Sequence, residues 1–302
     1  MMAFEERIYL VGATGNIGKP LVQKLLVNPK VALTLYTRKT SKVQEIFGAE
    51  HPEGKVTIVE GDYDNQKPFA DSIAGHRRLF LLAQPPNFTD YQTIPRRFAE
   101  TAYGAGVEQI VIISSTGAPL PWRVNLYGMA SRQFEEAVLN IPNRKALVTL
   151  RPGFFMTNQL WGDLFTIKGA NKIVDMREED QTRPWISPKD IGELAANVLQ
   201  DPIEKHGDAV YELVGDPRTP LEQAESLSRV LGKTITYEKL DEEQTYQMFT
   251  QQAGMSHLTA ILRMQLTELS RHQKSTIGLS VLLGRDPQTL EQWIEENKAA
   301  FL

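Results

Sequence analysis

Residues 8–27 read I-Y-L-V-G-A-T-G-N-I-G-K-P-L-V-Q-K-L-L-V, and the order of their parts decides the fold. The apolar run 8–11 is short and rich in β-branched residues, as a buried parallel strand is. Gly12, Gly15 and Gly18 follow, and Ile17, Leu21, Val22, Leu25 and Leu26 then recur at helical spacing. Strand, glycine turn and amphipathic helix are the opening of a nucleotide-binding βαβ unit. Glycine permits a positive φ and lets backbone come close to a ligand. The first N–H groups of the helix have no partner inside it, and with the helix dipole they form a site for a pyrophosphate. The turn is therefore predicted to set Gly12, Thr14, Gly15, Asn16, Ile17 and Gly18 against a dinucleotide. Its spacing, G-x-x-G-x-x-G, differs from the G-x-G-x-x-G fingerprint. The flanking strand and helix carry the expectation, with a merely tight turn as the alternative.

Residues 31–36 (V-A-L-T-L-Y) read as the second strand, ending in Thr37-Arg38-Lys39. At this point an acid would accept from the ribose 2′-OH of NAD, and a cation would accommodate the 2′-phosphate of NADP. Arg38 and Lys39 are present and no acid is, which points to NADP(H) rather than NAD(H). The guanidinium of Arg38 suits a phosphate better than an ammonium does; a solvated basic loop is the alternative. A third strand at 55–60 leads into Gly61-Asp62-Tyr63-Asp64, where Asp62 serves either as an adenine contact, with Tyr63 beside it, or as a helix cap. Further strands are expected at 78–83, before Gln84-Pro85-Pro86, at 109–113, before Ser114-Ser115-Thr116, and at 146–150, before Arg151-Pro152-Gly153-Phe154-Phe155-Met156. Helices are expected at 43–47, 68–73, 94–105 and 129–139.

This alternation predicts an α/β protein with a Rossmann-type doubly wound parallel sheet and ligands at the carboxyl ends of the strands. Ala83, Gln84, Pro85, Ser114, Ser115, Pro152, Gly153 and Phe154 then fall at the cofactor. Thr116, Phe155, Met156 and Trp161 fall at a substrate pocket, with plain core packing as the alternative for the aromatic loop. Past residue 156 the pattern changes. A helix at 158–168 would carry Leu160, Trp161, Leu164 and Phe165 on one face. Short strands follow at 173–176, 184–186, 209–214 and 234–238. Helices follow at 188–199, with Ser187 as its cap and Pro188 first, and at 220–231, 242–252, 257–271 and 287–300. The expected organisation is an NAD(P)-binding domain over 1–156 and a smaller α+β region over 157–302, some of whose elements return to the Rossmann core.

Composition narrows the function. The 302 residues are 41% hydrophobic and 23% charged, as in an ordinary globular protein. A net charge of −4 argues against nucleic-acid binding as the main task. The absence of cysteine excludes disulfides, thiol catalysis and zinc–thiolate sites. The N-terminus does not read as a secretory signal, and no apolar run approaches the roughly 20 residues of a membrane helix. The expectation is a soluble cytoplasmic protein. His51, His76, His206, His257 and His272 show no metal-ligand spacing, so no metal is expected. G-x-S-x-G and the P-loop pattern are both absent.

V-G-A-T-G-N-I-G at 11–18, G-D-Y-D at 61–64, R-P-G-F-F-M-T-N at 151–158 and W-I-S-P-K-D-I-G at 185–192 resemble the NmrA-like branch of the atypical short-chain dehydrogenase/reductases. G-R-D-P-Q-T-L-E-Q-W-I-E-E-N at 284–297 is similar to the tail of members from fungal alkaloid pathways and of related bacterial reductases. The resemblance covers nearly the whole chain. It implies an NAD(P)-binding Rossmann domain with a C-terminal substrate or partner region. Some members reduce quinones, enones, imines or carbonyls; others are redox sensors or transcriptional co-regulators.

One departure bears on mechanism. Ordinary short-chain dehydrogenases use Tyr-x-x-x-Lys, in which lysine lowers the pKa of the tyrosine. Tyr127 stands where that tyrosine could stand, but four residues on is Ser131; Arg132, next to it, is read as a ribose or phosphate contact. An ordinary tyrosine, with a pKa of about 10, is a poor base yet can donate a proton to a developing alkoxide. Two functions follow from the sequence. The first is an NADPH-dependent reductase of a small conjugated or aromatic molecule, with Tyr127 as proton donor. The second is a catalytically silent NADP(H) sensor that binds a protein partner. The oligomeric state and the substrate's identity are not in the sequence.

Overall fold

The computed structural model describes residues 4–48, 50–266 and 274–302. His272 and the end of the helix expected over 257–271 lie outside the described residues. The chain forms two compact units. The first comprises Met1–Pro119, Gly128–Arg151 and Pro188–Glu212; the second comprises Leu120–Tyr127, Pro152–Ser187 and Leu213–Leu302.

The first unit begins β1 (Glu6–Val11), α1 (Gly18–Leu26), β2 (Val31–Thr37), α2 (Thr40–Phe47), β3 (Val56–Glu60), α3 (Lys67–Ser72), β4 (Arg78–Leu81), α4 (Asp90–Gly104) and β5 (Gln109–Ile113). Next in the chain come α5 (Leu126–Leu139) and β6 (Ala146–Pro152). The second unit then supplies β7 (Phe154–Phe155), a 3₁₀ turn at Met156–Asn158, α6 (Gln159–Gly162), α7 (Leu164–Ala170), β8 (Lys172–Asp175) and β9 (Arg183–Ile186). The chain returns to the first unit for α8 (Pro188–Val198), α9 (Ile203–His206) and most of β10 (Val210–Leu213).

Seven strands form the central sheet in the order β10-β6-β5-β4-β1-β2-β3, the doubly wound arrangement predicted from the alternation. The pairs β1–β2, β1–β4, β2–β3, β4–β5 and β5–β6 are all parallel. Thr149 bonds Ala209 and Gly153 bonds Leu213, so β10 runs parallel to β6 as well. All residues of β2 and β5 are buried, which is why they read as near-continuous apolar runs. On α1, Leu21, Val22 and Leu25 are fully buried, each stabilising the fold by about 1.5–3 kcal/mol. Helix α8 packs on α1 through Gly192, where a Cβ would lie 2.5 Å from the Ile17 carbonyl oxygen.

The second unit continues with β11 (Asp216–Arg218), α10 (Pro220–Leu231), β12 (Thr236–Lys239), α11 (Glu242–Gln247), a π-helical turn at Met248–Gln252, α12 (His257–Gln265), α13 (Leu279–Leu283), α14 (Leu290–Glu296) and α15 (Lys298–Phe301). Its two small sheets run β11-β9-β7 and β12-β8. Trp185, Ile173, Met156, Leu227, Ile294 and Phe301 make its core.

Several boundaries correct the sequence. The helix expected over 158–168 is broken at Asp163: Leu160 and Leu164 pack on the core, while Trp161 is 81% and Phe165 78% exposed. The four apolar residues therefore share no single buried face. Helix α4 starts at Asp90 rather than 94 and carries Pro95 inside, giving up one backbone hydrogen bond. Helix α5 starts at Leu126 rather than 129. The helix expected from 287 begins at Leu290, because Thr289 caps it in a capping box with Gln292. Among the described residues no helix is long and apolar enough to cross a membrane.

Candidate functional site

The glycine turn has the geometry that its sequence demands. Gly12 takes φ +94°, and a Cβ there would lie 2.8 Å from the Leu82 carbonyl oxygen. A Cβ on Gly18 would lie 2.2 Å from the Gly12 carbonyl oxygen, so only glycine closes the turn. Helix α1 opens on this turn with no side-chain cap and no acid in its first turn. Elsewhere Thr219, Asp241, Ser256 and Thr289 do cap their helices. An uncapped N-terminus at a glycine turn offers backbone N–H groups to an anion.

Beside the turn lies a cleft of ≈ 460 Å³, lined by Val11, Gly12, Thr14, Tyr36, Thr37, Arg38, Lys39, Lys42, Gly61, Asp62 and Tyr63. Seven of the sequence-predicted cofactor residues meet here. Arg38, Lys39 and Lys42 are exposed, and no carboxylate among the described residues pairs with them. Lys42 escaped the sequence analysis, although it is the next cation in the run T-R-K-T-S-K. Asp62 takes a turn-capping role: its Oδ1 accepts from the N–H groups of Asp64 (2.9 Å) and Asn65 (2.7 Å). The Tyr63 hydroxyl accepts from the Gln84 N–H (3.1 Å), tying the end of β3 to the end of β4. These residues fit a phosphate-bearing dinucleotide in charge and in backbone room.

The other strand ends are more enclosed. Ala83 and Pro85 are buried and Gln84 is exposed. The Ser114 hydroxyl donates to the Glu135 carboxylate, which also takes Arg151 Nε (2.8 Å) and Nη2 (2.6 Å). With its hydrogen committed to Glu135, Ser114 can only accept from a ligand. Ser115 Oγ accepts from the Gly117 N–H (3.0 Å), closing the turn that holds Thr116. Arg132 makes an i,i+4 ion pair with Glu136 (2.8 Å), so its guanidinium is already engaged.

The second unit holds its own cleft of ≈ 490 Å³. Its wall takes Tyr127, Phe154 and Asn158, then Gly162 and Asp163 at the helix break, Asp175 and Met176 after β8, and Arg183 on β9. The π-helical turn gives Met248 and Phe249, and α12 gives Thr259, Arg263 and Met264. π-Helical turns recur at functional sites because the inserted residue redirects side chains. Asp175 Oδ2 holds Arg177 Nε at 2.7 Å and Arg183 Nη2 at 2.5 Å. Burial pushes the Asp175 carboxyl up, but the two guanidiniums outweigh it and hold it below the usual range. Burial pushes Asp163 up, and Gln223 Nε2 donates to its Oδ2 at 2.9 Å. The Arg183 guanidinium stacks over Phe154 (4.9 Å) and Trp185 (5.2 Å).

Of the residues predicted for chemistry or substrate, Tyr127 lines this cleft; Phe154, expected at the cofactor, lines it too. Phe155 and Trp161 are not on its wall. Met156 has no accessible surface and packs in the core beside Trp185, so it is a core residue, not a pocket wall. Pro152 is buried, and Gly153 is required because a Cβ would lie 2.3 Å from the Pro184 carbonyl oxygen. Three histidines have local roles: His76 bonds Thr34 and Ile73, His206 bonds Tyr211 and Asp201, and His257 bonds Tyr246.

A family described as NAD(P)H-binding matches residues 12–202. Prestalk A differentiation protein A of Dictyostelium discoideum is 28% identical over 296 residues, covering 96% of this chain and 91% of that protein. The NADPH-dependent quinone oxidoreductase QOR2 of Escherichia coli, solved with NADPH, has a TM-score of 0.80 at 20% identity, covering 96% of this chain and 99% of that one. NmrA, a negative transcriptional regulator solved with NAD, has a TM-score of 0.72 at 17% identity and covers 98% of both chains. At these identities the two structures attest the fold, and they agree with the NmrA-like resemblance that the motifs carry.

Proposed function

We propose that this chain, which belongs to the NAD(P)H-binding family, is an NADPH-dependent reductase of a small conjugated or aromatic molecule. The observation that carries this reading is that Tyr127, the candidate proton donor, and Phe154 line one cleft of the second unit. The cofactor, when bound, supplies the hydride; the protein supplies positions and a proton. Arg38, Lys39 and Lys42 would hold the 2′-phosphate, and the glycine turn the pyrophosphate. With a carbonyl or quinone substrate the Tyr127 hydroxyl would donate its proton to the oxygen that gains charge on hydride addition; an iminium carbon takes hydride with no proton needed. With Ser131 where a lysine would lower the tyrosine's pKa, substrates that need no strong acid, such as quinones or iminium ions, fit best.

The test is NADPH oxidation over quinones, enones, imines and aldehydes, with NADH in parallel. Turnover favouring NADPH is expected, with kcat lowered in Tyr127→Phe; unchanged turnover in that variant removes Tyr127 from the mechanism. A second reading, an NADP(H) sensor that docks a protein partner, is favoured by the exposed pair Trp161 and Phe165. Tight NADPH binding without turnover on the panel selects it.

A further inference from the structure

The charges of the second-unit cleft do not balance. Asp175 is matched by Arg177 and Arg183, and Asp163, which faces the same two arginines, is bonded by Gln223. Arg263 on α12 is left over. Among the described residues its Nη1 reaches the Met255 sulfur, at 3.9 Å, and its guanidinium carbon stands 5.7 Å from the Phe249 ring centroid. Among the described residues no carboxylate pairs with it. Yet it lines the cleft, half-buried, beside Met248, Phe249, Met264 and Leu266.

Half-buried beside a thioether and an aromatic ring, this guanidinium has lost water without gaining an anion among the described residues. The Phe249 ring lies within cation–π range of it, a contact that favours this placement of the guanidinium on the cleft wall. Methionines adapt to irregular flat bodies, and an arginine fork matches an oxyanion with two parallel hydrogen bonds. A complementary ligand has a flat apolar body and one acidic group. Resting on the reductase reading for its role as substrate, we propose that the second-unit cleft takes an acidic molecule, a conjugated or aromatic body bearing one carboxylate or phosphate, and that Arg263 is the residue selecting that oxyanion.

The test is equilibrium titration of the full chain with 2-naphthoate, 2-naphthyl phosphate and uncharged 2-methoxynaphthalene, without NADPH. At least one oxyanion probe is expected to bind roughly 10-fold or more tighter than the uncharged one. Whichever oxyanion binds tighter names the acidic group. Arg263→Met should weaken that probe roughly 10- to 100-fold, at least ten times more than it weakens 2-methoxynaphthalene, and Arg263→Lys should recover part of the loss. Should Arg263→Met fail to fold, salt carries the test: raising ionic strength from about 0.05 to about 0.5 M must weaken the oxyanion probe selectively. Equal binding of all three probes by the unaltered protein, or an equal loss on charged and uncharged probes in Arg263→Met, overturns the proposal. Binding is read here without hydride transfer. Loss of the oxyanion preference therefore overturns this inference alone, and absence of turnover on the substrate panel overturns the reductase reading alone.

Discussion

The two clefts use charge in opposite ways. In the first unit Arg38, Lys39 and Lys42 stand exposed, with no carboxylate partner among the described residues, around a turn made of backbone. In the second, Arg177 is fully buried, Asp175 holds two guanidiniums, and Asp163 is buried against Gln223. An exposed, unpaired cation does little for stability and stays available to a ligand. A buried ion pair belongs to the shape of its unit, and removing one member strands the other. Substitution in the first cleft should therefore change binding more than stability. In the second it should change stability first, with Arg263 as the exception.

The sharpest test of that contrast is Asp175→Ala. It leaves Arg177 buried without its carboxylate, and a loss of about 3–5 kcal/mol is expected in urea unfolding. A loss below about 1 kcal/mol would mean that the second unit's charges are as dispensable as surface pairs. Next is Gly18→Ala. With a Cβ placed 2.2 Å from the Gly12 oxygen the turn must open, and titration should find NADPH affinity reduced by roughly 100-fold or more. Retained affinity would remove the turn from the phosphate site. Arg38→Ala should raise the KM for NADPH roughly 10- to 100-fold, with no comparable change for NADH and no shift in the unfolding midpoint. Equal losses on both cofactors would take the 2′-phosphate away from Arg38.

The smallest effect is a pH slope that belongs to the first unit's core. Burial, helped by Arg7, holds the His76 imidazole below its ordinary pKa, with its ring bonded to Thr34 and Ile73. The unfolded chain takes up this proton as pH falls through about 6.5, and the folded chain only later. Stability from this group is complete above about pH 6.5 and falls on acidification until the folded imidazole titrates. His76→Gln should flatten that part of the stability curve, measured by unfolding at several pH values. An unchanged slope would show that other groups set it.

Much of the first unit was legible because its signals are local. The strand-glycine-helix order of residues 8–27 and the basic end of β2 are each contained in a few neighbouring residues, and the structure gathers Gly12, Thr14, Arg38, Lys39 and Asp62 on one cleft. Lys42 could have been found from the same basic run. In the second unit apolar periodicity located helices such as 220–231, but neither the helix start that Thr289 sets nor the site. Leu160, Trp161, Leu164 and Phe165 look like one helical face in sequence, but the chain breaks at Asp163 and packs Leu160 and Leu164 on the core while leaving Trp161 and Phe165 exposed.

The sequence by itself determined the parallel sheet, the dinucleotide turn and the absence of a lysine four residues after Tyr127, since each is a statement about residues close together in the chain. Only the tertiary structure decided that Met156 is core, that Asp163, Asp175 and Arg183 line one cleft, and that Arg263 is left without a carboxylate among the described residues. The physical reason is range. Turns, caps and strand patterns depend on backbone sterics and nearest neighbours, whereas burial and charge pairing depend on which distant segments the packed core brings together.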